Sequence, residues 1–303
     1  MIPRIDMQKL VKRDPQTMVD LRRGAEDIGF LILYNTAIDA ARIDEVIAAY
    51  ADFFHRDEAF KQAVNMARTG ANRGWGAGGA EQVDPMANPD YKEVYDCGFE
   101  LPAGDVLTAK NLSVYAPNLW PADMPEFRAT IEGYYDQALE VCRTLLRAIA
   151  AAIGEDDGYF DDKFSRPMAL LRGNFYPARP DWAGEKDFGI AAHTDYGCVT
   201  LLATDGVPGL EVKTADGTWR AVETRPGSFI INFGEMLQMW TRGRVTATVH
   251  RVRGSGAERI SVPMFFNPNY DTNVAPLGSG EEVLAGRHLK KRFDETYLHL
   301  KNP

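Results

Sequence analysis

Three side chains with the chemistry of metal ligands stand out in this 303-residue chain. His193 and Asp195 lie two positions apart in the segment AAHTDYGCVTLL, and His250 follows about 55 residues later in TATVHRVRG. Two imidazoles and one carboxylate form the ligand set with which proteins hold Fe(II) while leaving coordination positions open. A structural zinc site normally uses four ligands, often including Cys, and the three cysteines of this chain form no CxxC pair.

The spacing of these residues suggests how they could converge. Side chains alternate between the two faces of a β-strand, so His193 and Asp195 would point the same way on one strand while Thr194 points oppositely. The sequence around His250 indicates a short buried strand that ends in a loop. We therefore expect two facing strands to close a metal site. A single His-x-Asp pair is weak evidence, so the neighbouring motifs decide how it is interpreted.

A second pattern indicates a site for a carboxylate. Arg259 and Ser261 lie two apart in RISVPMFFNPNYD and share one face of a predicted strand that is too apolar for an exposed edge. A buried charge needs a partner, and the planar guanidinium matches the two oxygens of a carboxylate. Asn174 and Tyr176 in LLRGNFYP repeat the same-face spacing. On spacing alone, these two are as compatible with hydrogen-bonded core groups as with ligand contacts.

Length and composition favour one protein unit with a large core. The chain is 45% hydrophobic, and no repeat or Pro/Ser-rich linker divides it, so we predict a single domain over 1–303. A formal net charge of −9 argues against a nucleic-acid surface. No apolar run is long enough to span a membrane, 1–30 shows no signal-peptide core, and the scattered cysteines suit a reducing compartment. We therefore expect a cytoplasmic protein that does not bind membranes, while its oligomeric state is left open.

Hydrophobic periodicity divides the chain into a helix-rich part over 1–154, a strand-rich part over 155–270 and a C-terminal helical segment over 271–303. The first part predicts helices over 17–28, 40–54 and 124–153 and a strand over 30–34. The second part predicts strands over 169–176, 199–203, 210–213, 228–233, 245–251 and 260–266. We therefore predict a mainly β protein with helices, in which two sheets face each other.

Gly74, Gly76 and Gly79 form a G-x-G-x-x-G pattern in RGWGAGGAE. A dinucleotide site would need a hydrophobic strand immediately before these glycines and a helix that opens within them. The preceding segment is polar and helical in character, so a flexible loop near the mouth of the barrel is the better interpretation.

Taken together, the motifs resemble one known family. The chain is similar to the isopenicillin N synthase-like branch of the 2-oxoglutarate/Fe(II)-dependent dioxygenases over nearly its whole length. The matching segments include GFLILYN, FFHRDEAFK, NFYP, HTDYGCVTLL, ATVHRV, RISVPMFFNPNYD and RFDETY, in that order. The resemblance implies a distorted double-stranded β-helix, or jelly roll, with flanking helices.

The resemblance also implies cofactors and site residues. It makes His193, Asp195 and His250 the catalytic ligands of Fe(II). It places Arg259 and Ser261 at the distal carboxylate of the cosubstrate 2-oxoglutarate, in a pocket lined by the strand of Asn174 and Tyr176. O2 would complete the reaction, which releases succinate and CO2 and oxidises, most often hydroxylates, an unactivated C–H bond of a small molecule.

Substrate contacts are expected around the segment that matches K-E-x-x-D in that family, here Lys92, Glu93 and Asp96. The candidates are Arg73, Trp75, Tyr91, Tyr95 and Arg172, the last because it shares strand parity with Asn174. Most aromatic side chains pack rather than bind, so structural roles are more common for each of them. The arginines would suit an anionic or amino-acid-like substrate.

Two alternatives stay open. An Fe(II) oxidase of the isopenicillin N synthase type would not use 2-oxoglutarate, and it retains an Arg-x-Ser pair like Arg259 and Ser261. A non-catalytic barrel that binds a small molecule is disfavoured because neither the triad nor the carboxylate motif is broken.

Overall fold

The strands of the chain form two sheets in the computed structural model, which describes residues 1–84, 86–179, 181, 183–184 and 186–296. Within these residues the strands are β1 Arg4–Asp6, β2 Phe30–Tyr34, β3 Gly74–Gly76, β4 Glu93–Gly98, β5 Leu170–Tyr176, β6 Ile190–His193, β7 Val199–Thr204, β8 Leu210–Lys213, β9 Trp219–Ala221, β10 Ser228–Phe233, β11 His250–Val252 and β12 Arg259–Phe266. The α-helices are α1 Met7–Val11, α2 Pro15–Arg23, α3 Ala40–Phe54, α4 Glu58–Gln62, α5 Pro125–Ala152, α6 Glu235–Trp240 and α7 Ala285–Thr296. The predicted C-terminal segment over 271–303 therefore contains a helix, and 297–303 lie outside the described residues.

The larger sheet contains eight described strands in the order β1-β2-β10-β7-β12-β5-β4-β3, and the smaller contains four in the order β6-β11-β8-β9. Strand β12 lies in the middle of the large sheet and is antiparallel to both β5 and β7. Side chains of both sheets line one cavity between them. The predicted jelly roll with flanking helices is therefore confirmed.

The central strands are buried on both faces, which explains why they are apolar almost throughout. On β12, Ile260, Val262, Met264 and Phe266 belong to the main core together with residues of α3 and α5. The alternate residues of the same strand face the cavity. A smaller apolar cluster lies between the sheets and includes Phe30, Ile32, Leu202, Ile230 and Val252. That the whole chain is one domain stays a prediction.

The predicted elements agree with the structure most closely where the pattern has clear ends. The strand bounds 30–34, 210–213 and 228–233 and the helix 40–54 are reproduced, and the long helix α5 is one residue shorter at each end. Helix α5 begins with Pro125, which suits the first turn because proline lacks the N–H that would go unpaired there. No helix in the described part of the chain is both long and apolar enough to cross a membrane.

Two predicted elements differ from the structure because polar groups bond elsewhere. The helix over 17–28 is α2 followed by a π-helical turn over Gly24–Ile28. The strand over 245–251 is reduced to β11, since Thr246 and Thr248 donate their side-chain hydroxyls to the carbonyls of Glu26 and Ile28. The segment before β11 is thus attached to the π-helical turn rather than to a strand.

The prediction of a flexible loop at Gly74, Gly76 and Gly79 is wrong for its first half. Gly74–Gly76 is strand β3, fully buried and paired with β4. Gly74 has a φ of 98°, and a Cβ atom there would lie 2.2 Å from the Val64 carbonyl oxygen. The glycine therefore allows two backbone segments to approach closely.

Gly29 provides a test of how the π-helical turn is joined to β11. It has a φ of 70°, and a Cβ atom would lie 2.2 Å from the Thr248 hydroxyl. We expect Gly29→Ala to lower the free energy of unfolding by about 2–4 kcal/mol, because backbone strain and overpacking add. Chemical denaturation measures the change. Gly217→Ala is the control, since its φ is 84° but nothing lies within 4 Å, so an equal loss there would remove the role of the contact.

Candidate metal centre

The two predicted histidine ligands occupy facing positions of neighbouring strands. His193 is the last residue of β6, and it pairs across the small sheet with His250, the first residue of β11. Asp195 lies in the loop after β6, so the prediction that one strand carries both His193 and Asp195 is wrong. Strand β6 ends before Asp195, whose carbonyl accepts a hydrogen bond of 2.8 Å from the distant Glu235 N–H at the start of α6.

The three side chains nevertheless converge on one point. The Asp195 Oδ1 atom lies 3.6 Å from the Nε2 atoms of both His193 and His250. One ligand atom from each residue lies within 4.8 Å of the others. The imidazole centroids are 4.4 Å apart, and all three side chains are largely buried. This donor set suits Fe(II) with open positions.

Backbone carbonyls hold both imidazoles in one orientation. The Nδ1 atom of His193 lies 2.8 Å from the Ala191 oxygen, and that of His250 lies 3.1 Å from the Thr248 oxygen. A carbonyl only accepts, so each Nδ1 carries the proton and each Nε2 keeps its lone pair for a metal. Such outer hydrogen bonds are the usual means by which proteins fix the tautomer of a ligating histidine.

Asp195 is held by its second oxygen. Its Oδ2 atom accepts hydrogen bonds from the Thr200 hydroxyl and, at 2.6 Å, from the Asn232 side-chain N–H. Burial alone would raise the pKa of Asp195, but in the metal-free protein the imidazoles of His193 and His250, when protonated, lower that pKa well below its usual range. The carboxylate is therefore ionised, with Oδ1 directed at the imidazoles and Oδ2 occupied by the protein.

The four residues of the predicted 2-oxoglutarate pocket lie side by side on two paired strands. Arg259 is opposite Tyr176 and Ser261 is opposite Asn174 in the β12–β5 register. All four are at least nine-tenths buried and line the cavity. The Arg259 guanidinium lies over the Tyr176 ring, with Cζ 5.0 Å from the ring centre.

Arg259 has unused hydrogen-bonding capacity. Its Nε donates to the Val207 carbonyl at 3.2 Å, while its buried Nη1 has no partner among the described residues. A buried guanidinium nitrogen without an acceptor destabilises a protein, so this end of the cavity suits a carboxylate. The residues present therefore fit the distal carboxylate of a 2-oxo acid.

The substrate candidates divide into two groups. Arg73 and Arg172 line the cavity, whereas Trp75, Tyr91 and Tyr95 are absent from its lining in the described part of the chain. The Trp75 indole donates to Glu93 at 2.7 Å and the Tyr95 hydroxyl to the Leu119 carbonyl at 2.5 Å. These aromatic side chains are buried among neighbouring elements rather than at the cavity.

Tyr91 lies near the loop after β11. An added Cβ atom on Gly254 would meet its hydroxyl at 1.9 Å, which shows how closely the two segments approach. Burial raises the pKa of Tyr91, and contacts with Arg179 and Gly254 oppose that rise.

Arg73 is occupied by the backbone of another segment. Its Nε and Nη2 donate to the carbonyls of Ala116 and Val114 at 3.1 and 2.7 Å, and its Nη1 donates to the Asn72 carbonyl at 2.8 Å. These contacts attach the loop before β3 to the segment around Val114. The guanidinium is therefore a structural link at the cavity wall.

Arg172 belongs to a buried network of charges. It binds Asp96 through two parallel hydrogen bonds of 2.6 and 2.7 Å and contacts Glu81 at 2.7 Å. Lys92 lies 2.6 Å from the other oxygen of Glu81 and 3.1 Å from Asp90. Burial would raise the pKa of Glu81, but Arg172 and Lys92 lower it to about 2. The arginines that suggested an anionic substrate are thus engaged by the protein's own oxygen atoms.

The cavity has a volume of about 150 Å³, enough for roughly ten water molecules. The three metal ligands and the four residues of the predicted 2-oxoglutarate pocket line it. Glu81, Lys92 and Arg172 form another part of its wall. Leu289, Phe293 and Thr296 of α7 line it as well. The Thr296 carbonyl accepts from the Gln82 N–H at 3.2 Å, which joins α7 to this wall.

Sequence reasoning did not single out Thr200, Asn232 or Glu81. A signal existed for Asn232, since a polar residue in the buried run SFIINF needs a hydrogen-bond partner. Thr200 in CVTLL carries a weaker signal because threonine is common in strands. Glu81 lies in an irregular loop, where no periodicity indicates burial.

Comparisons with known proteins agree with this geometry. Residues 167–268 match the family described as the 2OG-Fe(II) oxygenase superfamily. Residues 2–123 match the family described as non-haem dioxygenase in morphine synthesis N-terminal. A 2-oxoglutarate-dependent dioxygenase of Didymella fabae is 32% identical over 302 residues, which covers 93% of this chain and 91% of the relative.

Solved structures show the same fold. A full-length protein of Neurospora crassa, crystallised in complex with alpha-KG and thymine, is 28% identical with a TM-score of 0.84 and covers 97% of this chain and 96% of its own. JOX2 in complex with 2OG, Fe and JA is 28% identical with a TM-score of 0.76, covering 91% of this chain and 78% of its own.

The contacts to Asp195 Oδ2 predict a defined loss of metal affinity. Thr200→Val keeps the shape of the side chain but removes a hydrogen bond that fixes the carboxylate. We expect it to weaken Fe(II) binding about 10- to 100-fold, the usual cost of losing such a support. Anaerobic titration of the metal-free protein measures this. Thr204→Val on the same strand is the control, since Thr204 bonds Thr224 instead; equal affinities in both variants would contradict the role of Thr200.

The charge network predicts a pH dependence of stability. The pKa of Glu81 is about 2 in the folded protein and has an ordinary value of 4.5, so its contribution is present above pH 4.5 and is lost as the pH falls toward 2. We expect Glu81→Gln to lower the free energy of unfolding by about 3 kcal/mol at neutral pH, because the buried cations Arg172 and Lys92 lose an ionised partner. The loss should be smaller in acid.

Denaturation at pH 7 and at about pH 3 measures this difference. Glu132→Gln is the control, since its ion pair with Arg128 lies at the surface and such pairs contribute about 0.5 kcal/mol. A Glu81→Gln cost that does not shrink in acid would disprove the ionised state of Glu81.

Proposed function

This chain belongs to the 2-oxoglutarate/Fe(II) oxygenase superfamily and is a 2-oxoglutarate-dependent dioxygenase, and we propose that it oxidises a C–H bond of a small, uncharged molecule. The observation that supports the oxygenase chemistry in this chain is the convergence of His193, Asp195 and His250 at one end of a cavity that also contains Arg259. When bound, Fe(II) and 2-oxoglutarate supply the oxidising chemistry, in which O2 is consumed and succinate and CO2 are released.

The protein's own residues would bind and orient these groups. His193 and His250 offer Nε2 lone pairs because their Nδ1 protons are engaged by carbonyls, and Asp195 offers Oδ1. Arg259 and Ser261 would bind the distal carboxylate, which would give the unpaired Nη1 atom an acceptor. Apolar side chains between the sheets would exclude water from the reacting centre, which strengthens each polar contact there.

The proposal of an uncharged substrate is supported by the charged residues of the cavity wall, which already bind one another or the backbone. In the described residues, Arg73, Glu81, Lys92 and Arg172 each bind partners within the protein. A charged ligand beside them would have to leave water without gaining an unpaired counter-ion, which is unfavourable. Notably, the structure of the Neurospora crassa protein contains thymine, an uncharged ring. This interpretation replaces the anionic or amino-acid-like substrate expected from the arginines.

Substrate-stimulated formation of succinate tests the proposal. The protein is incubated in air with Fe(II), 2-oxoglutarate and a panel of uncharged heterocycles, amino acids and small carboxylates. We expect stimulation by uncharged compounds. Stimulation by charged compounds alone would contradict the proposed substrate class, and product formation without 2-oxoglutarate would favour the oxidase alternative.

The role of Arg259 has its own variant. We expect Arg259→Leu to raise the dissociation constant for 2-oxoglutarate about 10- to 100-fold, because charge-assisted hydrogen bonds are lost. Anaerobic titration with Fe(II) present measures that constant. Arg220→Leu on the exposed strand β9 is the control, and an unchanged constant in Arg259→Leu would disprove the assignment.

A further inference from the structure

We propose that the side-chain amide of Asn72 binds the substrate, and that the substrate is a planar, uncharged ring with adjacent N–H and C=O groups, such as a cyclic amide or imide. This inference rests on the proposed oxygenase function and narrows its substrate class.

Asn72 has the properties of a ligand-binding group. It lines the cavity and is only 7% exposed, yet its Oδ1 atom has no hydrogen-bond partner among the described residues. Buried polar atoms in folded proteins are nearly always hydrogen-bonded. An unpaired one in a cavity wall therefore indicates a group whose missing hydrogen bond a ligand supplies. Asn118 shows the contrast, since its amide donates to the Gly98 carbonyl and accepts from the Gly98 N–H.

The sheet register brings the chain at Asn72 toward the metal end of the cavity. Strand β3 enters the large sheet with Gly74 opposite Asp96, so the residues before it lead toward Gly98. Gly98 pairs with Leu170, and Leu170 pairs with Phe265. Phe265 is also opposite Thr200, the residue that binds the Asp195 carboxylate.

The other unpaired atoms of the wall lie at a different level of the same sheet. The Asn174 Oδ1 and Arg259 Nη1 atoms have no partner among the described residues either. Arg259 is six residues from Phe265 along β12, which is about 20 Å in an extended strand. Asn72 is therefore available to a second molecule while 2-oxoglutarate occupies the Arg259 end.

Aromatic rings around the cavity suit a planar ligand. Phe265 lies on a central strand that is paired on both sides, but its ring is only half-buried because it faces the cavity. Tyr196 and Phe293 also line the cavity and are half-buried. Aromatic faces bind flat rings well, and they add no charge to a wall whose ionic groups are already paired.

An amide recognises another amide through two hydrogen bonds. The Asn side chain presents an N–H donor and a C=O acceptor side by side, and a cyclic amide or imide presents the complementary pair. A carboxylate offers no donor and an ammonium group offers no acceptor, so either leaves one atom of Asn72 unpaired.

Arg73 holds the Asn72 side chain's loop in place. By donating to the carbonyls of Asn72, Val114 and Ala116, its guanidinium fixes the loop that carries the amide. A fixed amide distinguishes ligands better than a mobile one, because little freedom is lost on binding.

Binding under argon, where no turnover occurs, tests the inference. The Fe(II)- and 2-oxoglutarate-loaded protein is titrated with uracil, succinimide and N-methylsuccinimide by calorimetry. We expect uracil or succinimide to bind, and N-methylsuccinimide, which lacks the N–H, to bind about tenfold more weakly or worse. We expect Asn72→Leu to weaken binding of the N–H compounds about 10- to 100-fold and to abolish the preference over N-methylsuccinimide.

Stability separates a ligand contact from a structural one. Because the Asn72 amide oxygen has no partner within the residues that the structure describes, we expect Asn72→Leu to keep or raise the melting temperature. Asn118→Leu, which removes two backbone contacts, should lower it. If Asn72→Leu lowers the melting temperature as Asn118→Leu does, or keeps the N–H preference, the inference is wrong.

The two proposals fail in different ways. Succinate formation in air with other uncharged compounds, combined with no binding of any cyclic amide or imide under argon, would overturn the role of Asn72 and leave the oxygenase function intact. Binding under argon with the expected loss in Asn72→Leu would support the inference even if succinate never formed, a result that would instead count against the oxygenase function.

Discussion

The alternation of side chains along the central strands is the constraint on which the rest of the structure depends. On β12 and β5, one set of residues packs against α3 and α5 and the other set faces the cavity. Arg259 and Ser261 are therefore buried without being in the hydrophobic core. A shift of one residue in the pairing of β12 would exchange these sets and place an arginine in the core, so the register is strongly determined.

Burial of the polar groups at the metal centre and around Arg172 is possible because these groups bind one another or the backbone. The Asp195 carboxylate uses one oxygen for Thr200 and Asn232, and the imidazoles use Nδ1 for carbonyls. The charges around Arg172 bind one another in a network that would be unfavourable if one member were removed. Among the described residues, the buried atoms without partners include Asn72 Oδ1, Asn174 Oδ1 and Arg259 Nη1. These three belong to residues of the cavity wall, where a cosubstrate and a substrate can supply partners.

Much of this arrangement could be predicted from residues with local patterns. The period of two predicts that Arg259 shares a strand face with Ser261 and that Arg172 shares one with Asn174. All four residues line the cavity. The histidine ligands were recognisable from their motifs, although the loop that carries Asp195 is held by a contact with Glu235, forty residues away.

Other roles could not be predicted because they depend on distant segments. Arg73 was expected at the substrate, but its Nε and Nη2 bind carbonyls more than forty residues further along the chain, and these contacts leave no pattern in either segment. Trp75 and Tyr95 lie on strands whose pairing decides which way their rings point. Asn72, whose amide oxygen has no hydrogen-bond partner in the described part of the chain, lies in an irregular loop without any periodic signal.

The pairing of β2 with β10 has a consequence for how the protein forms. Phe30 and Asn232 are neighbours in the sheet although about 200 residues separate them. At the cavity wall, the Gln82 N–H likewise donates to the distant Thr296 carbonyl. Contacts at such sequence separation form slowly, because the loops that connect them must first be closed. Since Asn232 also holds Asp195, the complete metal site requires β10 to be in place. A nascent chain that has emerged only as far as the histidine motif at 193 has no site for a metal ion to stabilise.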